Sequence, residues 1–160
     1  MRIGLISDTH DQQRATASGL KLLRDAGAEI ILHAGDVGGE PIIDLFVGLN
    51  VHFVWGNNDW HRDTLGRYAA SLDVTCHGDI ARLTLAEKRI ILTHGDDARL
   101  MRQILTGRQA DILITGHTHV PHDLMKNGVR CINPGAVYRA MRKQVALLDL
   151  PEGTLTALPL

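Results

Sequence analysis

The segment IGLISDTH, residues 3–10, decides how this chain is read. An apolar run of strand length, Ile3 to Ile6, passes through Ser7 and ends in Asp8 and His10. Runs this short, closed by polar residues, suit a buried strand better than a helix. Residues 13–26 follow with Ala17, Leu20, Leu22 and Leu23 at helical spacing. EIILHAGD, residues 29–36, repeats the opening pattern and ends in Gly35-Asp36. EPIIDLFVGL, residues 40–49, is expected to be a helix with Pro41 in its first turn. VHFVWG, residues 51–56, is a third strand, and a helix is expected over about 61–71. Strands alternating with helices imply a parallel sheet joined by right-handed crossovers.

Further along, the pattern changes. ARLTLAEKRIILTHG, residues 81–95, reads as a hairpin turning near Glu87-Lys88. A helix near 97–107 leads into DILITG, residues 111–116, another strand. Short strands are expected at 121–126, 129–132, 144–150 and 154–158, with Gly128 and Gly153 where turns are needed. No repeat, low-complexity tract or linker interrupts the chain. The expectation is an α/β fold of two packed mixed β-sheets flanked by helices, forming a single domain over residues 1–160.

Composition narrows the classes of function. The chain has 160 residues, 44% of them apolar, and a net charge of −1. A chain of this size buries roughly 70% of its unfolded surface and needs no covalent staple. Near-zero charge gives no patch for nucleic acid and no attraction to an anionic membrane. No apolar stretch approaches the about 18 residues of a membrane span. The opening MRIGLISD is too short in apolar length for a signal peptide. Cys76 and Cys131 form no spaced motif and are expected to be free, buried thiols. A cytoplasmic protein is the resulting expectation. The unusual count is nine histidines against two each of Tyr, Phe and Trp, which points to a metal site.

The apolar runs share one ending. LISDTH closes on Asp8 and His10, ILHAGD on Asp36, and VWGNND on Asn57, Asn58 and Asp59. ILTHGD carries His94, and LITGHTH closes on His117 and His119. Ligands of α/β sheets bind at the carboxyl ends of strands. Two carboxylates (Asp8, Asp36), one amide (Asn57) and four imidazoles (His10, His94, His117, His119) are too many donors for one zinc, which usually takes four. They suit two metals sharing a carboxylate. Mixed oxygen and nitrogen donors favour Mn, Fe, Zn or Ni over calcium or a thiolate site. The remaining histidines, His33, His52, His61, His77 and His122, fit no such block and are read as structural. Among them His33 and His61 are the best candidates to support the ligands. No G-x-G-x-x-G follows the first strand, and neither a P-loop nor a G-x-S-x-G elbow is present.

Asp8-x-His10, Gly35-Asp36, Gly56-Asn57-x-Asp59, His94 and Gly116-His117-x-His119, in this order, resemble the five blocks of the calcineurin-like metallophosphoesterases. The small size and the CINPGA stretch (131–136) resemble the compact YfcE-type phosphodiesterase branch. The resemblance spans residues 3 to about 135. It implies a four-layer sandwich in which Asp8, His10, Asp36 and His119 hold one metal. Asp36, Asn57, His94 and His117 hold the other, with Asp36 bridging and manganese the favoured ion. It further implies direct hydrolysis of a small phosphodiester or phosphomonoester, without a covalent enzyme intermediate. One departure stands out. Where the family commonly has a histidine that assists the leaving group, this chain has Asn58, an amide that can donate a hydrogen bond but cannot transfer a proton. Asp59, which orients that histidine where it is present, is the accompanying candidate, and His61 is a substitute donor. A reading of a different class is a metal-binding scaffold of the retromer-subunit (Vps29-like) type, which can lose ligands because catalysis is no longer required. This chain keeps all seven. Short loops leave no room for a cap domain, so the site is expected to be open. The oligomeric state is left open, a homo-oligomer included.

Overall fold

A computed structural model describes residues 1–150 and 152–160. Its larger sheet contains β1 (Arg2–Ile6), β2 (Ile30–His33), β3 (Val51–Phe53), β4 (Thr75–Cys76), β10 (Gln144–Asp149) and β11 (Thr154–Pro159), in the order β11-β10-β1-β2-β3-β4. β1 to β4 run parallel, and β10 and β11 are added antiparallel. The smaller sheet contains β5 (Ile80–Leu85), β6 (Lys88–Thr93), β7 (Ile112–Ile114), β8 (His122–Lys126) and β9 (Val129–Asn133), in the order β5-β6-β7-β9-β8. Only β6-β7 and β7-β9 are parallel within it.

Alternation along the strands explains the layers. Ile3, Leu5, Ile30 and Leu32 of the larger sheet meet Ile90, Leu92, Ile112, Ile114 and Ile132 of the smaller one in a shared core. The intervening residues Ile6 and Ile31 face the helical side instead. They pack with Leu20 and Leu23 of α1 (Gln13–Asp25), Ile42 and Ile43 of α2 (Glu40–Ile43), and Leu65 and Ala69 of α3 (Arg62–Ser71). On the far side, Ile91 and Leu113 pack against Ile104 and Leu105 of α4 (Ala98–Thr106). Strands buried on both faces read as continuous apolar runs, which is why IILH carries no polar alternation. The arrangement is the expected pair of mixed sheets flanked by helices.

Local departures have local causes. The helix expected over 40–49 stops at Ile43 and continues only as a 3-10 turn, Asp44–Phe46. Val47 leaves the helical region at ψ 130° and Gly48 takes φ +76°, which turns the chain into β3. β3 ends at Phe53 rather than running to residue 56, because the next amides bond to His33 O and Gly78 O. The buried face of α1 is Thr16, Gly19, Leu20 and Leu23, with Ala17 turned to solvent. The two-residue strand β4 was not anticipated, being too short to show a period. The hairpin turns one residue earlier than expected, at Ala86-Glu87, both with positive φ, as a tight two-residue hairpin requires. Both thiols are free, but only Cys131 is buried; Cys76 is half-buried on the edge strand.

Candidate metal centre

The five polar strand endings converge. Asp8 follows β1 and is wholly buried. Ser7 Oγ donates to its Oδ2 at 2.6 Å. Its Oδ1 lies 3.1 Å from His119 Nε2 but has no hydrogen-bond partner. Nε2 of His10 is likewise buried and unpartnered, 3.4 Å from Asp36 Oδ2. The same Asp36 oxygen lies 3.4 Å from His94 Nε2, so this carboxylate stands between two imidazoles. His94 Nδ1 must carry a proton, because it donates to the Ala34 carbonyl at 2.7 Å. That leaves Nε2 facing Asn57 Oδ1 at 3.1 Å. A backbone contact that fixes the tautomer and turns the other ring nitrogen inward is the usual support of a metal-binding histidine.

Two sets of donor atoms lie within 4.8 Å of one another: Asp8 with His10 and His119, and Asp8 with Asp36 and His94. Asn57 joins the second set through its contact with His94. The ring of His117 packs edge-on to His94 at 5.1 Å, but this residue is exposed at the rim, outside the converging atoms. Six of the seven candidate ligands are therefore gathered and the seventh borders them. Asp8 is the carboxylate common to both sets, while Asp36 touches histidines of both. Buried polar atoms ordinarily find partners. Two that do not, aimed into one space lined by carboxylates and imidazoles, fit divalent cations.

The backbone is shaped for this convergence. Asp8, His10, Asp36, His117 and His119 all have positive φ, between 41° and 64°. Non-glycine residues rarely adopt this region, and such strain gathers at functional sites. Two glycines permit close approach. A Cβ on Gly116 would stand 1.9 Å from Ser7 Oγ and 2.8 Å from Asp8 Oδ2. One on Gly56 would stand 2.2 Å from Asp36 Oδ1.

The electrostatics follow from burial and contacts. Burial pushes the Asp8 carboxyl up, and the Ser7 hydroxyl and nearby His94 and His119 only partly offset it. Burial acts on Asp36 in the same sense, but hydrogen bonds from His94 and Asn58 outweigh it and hold that carboxyl below the usual carboxylate range. Burial alone would lower His94; Asp36 and the Ala34 carbonyl raise it instead. A cation entering here displaces the imidazole proton, so binding is linked to pH.

Asn58 and Asp59 do different work. Asn58 is exposed, and its backbone N–H and side-chain Nδ2 both donate to Asp36. Asp59 is buried and turned away, accepting the backbone N–H groups of Gly56 at 2.7 Å, Gly38 at 2.9 Å and Val37 at 3.2 Å. Burial still raises its carboxyl above the ordinary value. His33 is fully buried; its Nδ1 accepts from Gly35 N–H at 3.2 Å, so Nε2 carries the proton and donates to Thr9 Oγ1 at 2.9 Å. Thr9 passes the chain on to the Val37 carbonyl. His61 is exposed at the start of α3 and makes no side-chain hydrogen bond among the described residues. His52 and His77 form a stacked pair of their own, bonded at 2.8 Å.

Sequence reasoning missed three supports. Asn133, in CINPGA, donates to the Gly116 carbonyl at 2.6 Å and to Thr118 Oγ1 at 3.1 Å, holding the GHTH loop. Arg62 ties down the carbonyls of Gly56 and Asp59. Tyr138 places its ring 5.7 Å from that of His10. Their only sequence signal is proximity to the recognised blocks.

Residues 1–153 match the description calcineurin-like phosphoesterase superfamily domain. Over 138 residues the chain is 28% identical to phosphodiesterase MJ0936 of Methanocaldococcus jannaschii, covering 84% of this chain and 83% of that one. The solved structure of an archaeal phosphodiesterase superposes with a TM-score of 0.91 at 25% identity, over 100% of both chains. YfcE, a phosphoesterase from E. coli, has a TM-score of 0.71 at 21% identity, covering 99% of this chain and 98% of that one. The same fold occurs in Zn²⁺-complexed Vps29 from Entamoeba histolytica, with a TM-score of 0.68 at 20% identity over 100% and 98% of the two chains.

Proposed function

This chain belongs to the calcineurin-like phosphoesterase superfamily, and from that premise we propose that it hydrolyses small phosphodiesters with two divalent cations. Asp8, His10 and His119 would hold one and Asn57, His94 and His117 the other, with Asp36 serving both. The observation that carries this reading is the pair of unpartnered buried atoms, Asp8 Oδ1 and His10 Nε2, facing the same space. When bound, such cations supply Lewis acidity to phosphoryl oxygens and acidify water at neutral pH.

The protein's own residues do the positioning. Asn58 orients both oxygens of Asp36. Asp59 is a positioning residue, pinning the turns after β2 and β3 together through three backbone amides. The Ala34 carbonyl sets the His94 tautomer. The hydroxyls flanking Asp8 are wholly buried: Ser7 Oγ donates to Asp8, and Thr9 Oγ1 accepts from His33 instead of giving that ring a proton. Among the described residues neither therefore stands open to substrate as a nucleophile, which favours direct attack by water over a covalent route.

The mixed oxygen and nitrogen donors suit Mn, Fe, Zn or Ni, and manganese, the ion the family resemblance favours, is proposed as the working ion. No described helix is long and apolar enough to cross a membrane, and both cysteines are free; a cytoplasmic location is part of this proposal. The likeness to Vps29 concerns the fold alone, so the scaffold reading is separated from the enzyme reading by turnover. The test is elemental analysis of Mn²⁺-loaded protein together with rates on bis(p-nitrophenyl) phosphate and p-nitrophenyl phosphate. About two equivalents of metal and faster cleavage of the diester are expected. One equivalent or none in folded protein rejects the two-cation site, and two equivalents without turnover select the scaffold.

A further inference from the structure

We infer that Arg139 is the substrate-phosphate clamp of this site, a cation that binds the non-bridging oxygens of the reacting phosphoryl group. The inference rests on the phosphoesterase reading and adds a residue to it. Three contacts place Arg139 at the metal centre. Its carbonyl lies 3.4 Å from Nδ1 of His119, a candidate ligand. Its guanidinium stands 5.2 Å over the ring of Tyr138. That ring in turn lies 5.7 Å from the ring of His10. The guanidinium is thus one aromatic ring away from a ligand, at the lip of the site.

The state of the side chain matters as much as its place. Arg139 is exposed and forms no ion pair with a carboxylate among the described residues. Arg62, the arginine that bonds to the backbone of Gly56 and Asp59, is committed to Asp79. An exposed cation-π contact is weak, so it parks the guanidinium without holding it there. The backbone beneath it takes φ +50°, a turn conformation that exposed Asp73, Arg108 and Asn127 share, so what singles out Arg139 is its place and its free side chain. A planar fork of donors suits two phosphoryl oxygens at once, which a lysine cannot match.

The opposite lip lacks an equivalent. Asn58 is uncharged and its amide already serves Asp36. Charge developing on the phosphoryl oxygens therefore has no other mobile protein cation placed against the ligands by a described contact. Donors aimed at such charge in an active site are usually a large part of catalysis.

The test compares native Mn²⁺-loaded protein with Arg139→Ala, Arg139→Lys and Arg142→Ala, the last an exposed cation on the same loop. Each is measured for metal content, for kcat and KM on bis(p-nitrophenyl) phosphate, and for calorimetric binding of inorganic phosphate. Arg139→Ala is expected to keep its metal while losing about 10- to 100-fold in kcat/KM, the range for a hydrogen bond to a charged group. Phosphate binding should weaken in parallel. Arg139→Lys should recover part of the loss, and Arg142→Ala should stay within about twofold of native, as a surface charge outside the contact does. Unchanged kinetics and phosphate binding in Arg139→Ala, or equal losses in Arg139→Ala and Arg142→Ala, overturn the clamp. If native protein binds metal but turns over no ester, the phosphoesterase reading fails, and phosphate calorimetry still decides whether Arg139 binds the anion.

Discussion

Asn58 grips both oxygens of Asp36, its backbone N–H donating to Oδ1 at 2.8 Å and its side-chain Nδ2 to Oδ2 at 2.7 Å. The carboxylate that stands between His10 and His94 is therefore oriented by two donors from the neighbouring strand end. Asp36→Asn replaces one acceptor with a second donor, which then faces an N–H of Asn58. It also removes the negative charge between the proposed cations. We expect this variant to retain less than one equivalent of metal and to lose at least about 100-fold in kcat. His10→Ala removes one donor from one cation only and should keep more of both metal and rate. Metal analysis and kinetics of the two variants side by side check the order. Full activity in Asp36→Asn would remove it from the ligand set.

His33 makes stability fall with acid. Burial, with His94 nearby, lowers its pKa from 6.5 to about 3. Protonation would turn Nδ1 into a donor against the Gly35 N–H that it now accepts. Between pH about 6.5 and about 3 the unfolded chain binds a proton that the folded chain refuses. Folded-state stability is thus complete above the unfolded value and declines as pH falls toward the folded one. The contribution is up to about 1.4 kcal/mol per pH unit in that window. Urea unfolding of metal-free protein from pH 7.5 to 4.5 should show this slope, and His33→Gln should show a slope shallower by that amount. Parallel slopes would mean that His33 is not the buried neutral group.

Much of this site was legible because strand ends are legible. An apolar run that stops at Asp8, Asp36, Asn57, His94 or His119 announces both the edge of a sheet and the chemistry placed there. What was not legible is carried by contacts that have no period. Asn133 reaches Gly116 across 17 positions, and His33 reaches Thr9 across 24. In the sequence Asn58 reads only as an amide able to donate a hydrogen bond; the fold shows that amide bound to Asp36, a partner 22 residues away. The helix expected over 40–49 gives way before Gly48, tightening into a 3-10 turn at Asp44 and leaving helical geometry at Val47, changes that the apolar pattern does not signal.

Two glycines should respond to alanine in opposite directions. Gly66 lies inside α3, and an added Cβ would meet only Trp55 Cζ2, at 3.9 Å. Gly66→Ala removes backbone entropy from the unfolded chain and should stabilise by about 0.5–1 kcal/mol, with activity unchanged. Gly116→Ala must displace Ser7, Asp8 or the Ala34 carbonyl, which stands 3.0 Å from the added carbon. Overpacking of that kind costs about 1–3 kcal/mol, and here it moves a candidate ligand. We expect lower thermal stability and loss of metal. A metal-replete, fully active Gly116→Ala would show that the strand ends yield without disturbing Asp8.

The leaving group is where this chain should differ from relatives with a proton donor at position 58. Asn58 has no proton to transfer. General acid help is worth about 10²–10⁴-fold, most for poor leaving groups. An aryl oxide with a pKa near about 7 departs largely unaided, whereas an alkoxide does not. Rates on substituted phenyl diesters should therefore fall steeply as leaving-group pKa rises. Asn58→His supplies a titratable donor, but it also removes the bond from Nδ2 to Asp36. Nor can Asp59 orient the new ring freely, because its carboxylate already serves three backbone amides. The expected result is a flatter slope at a lower overall rate, measured under saturating metal. His61 is exposed one residue before α3 and follows Asn58 by three positions. A shallow slope in the native protein that steepens in His61→Ala would assign the proton to His61 and overturn this account of Asn58.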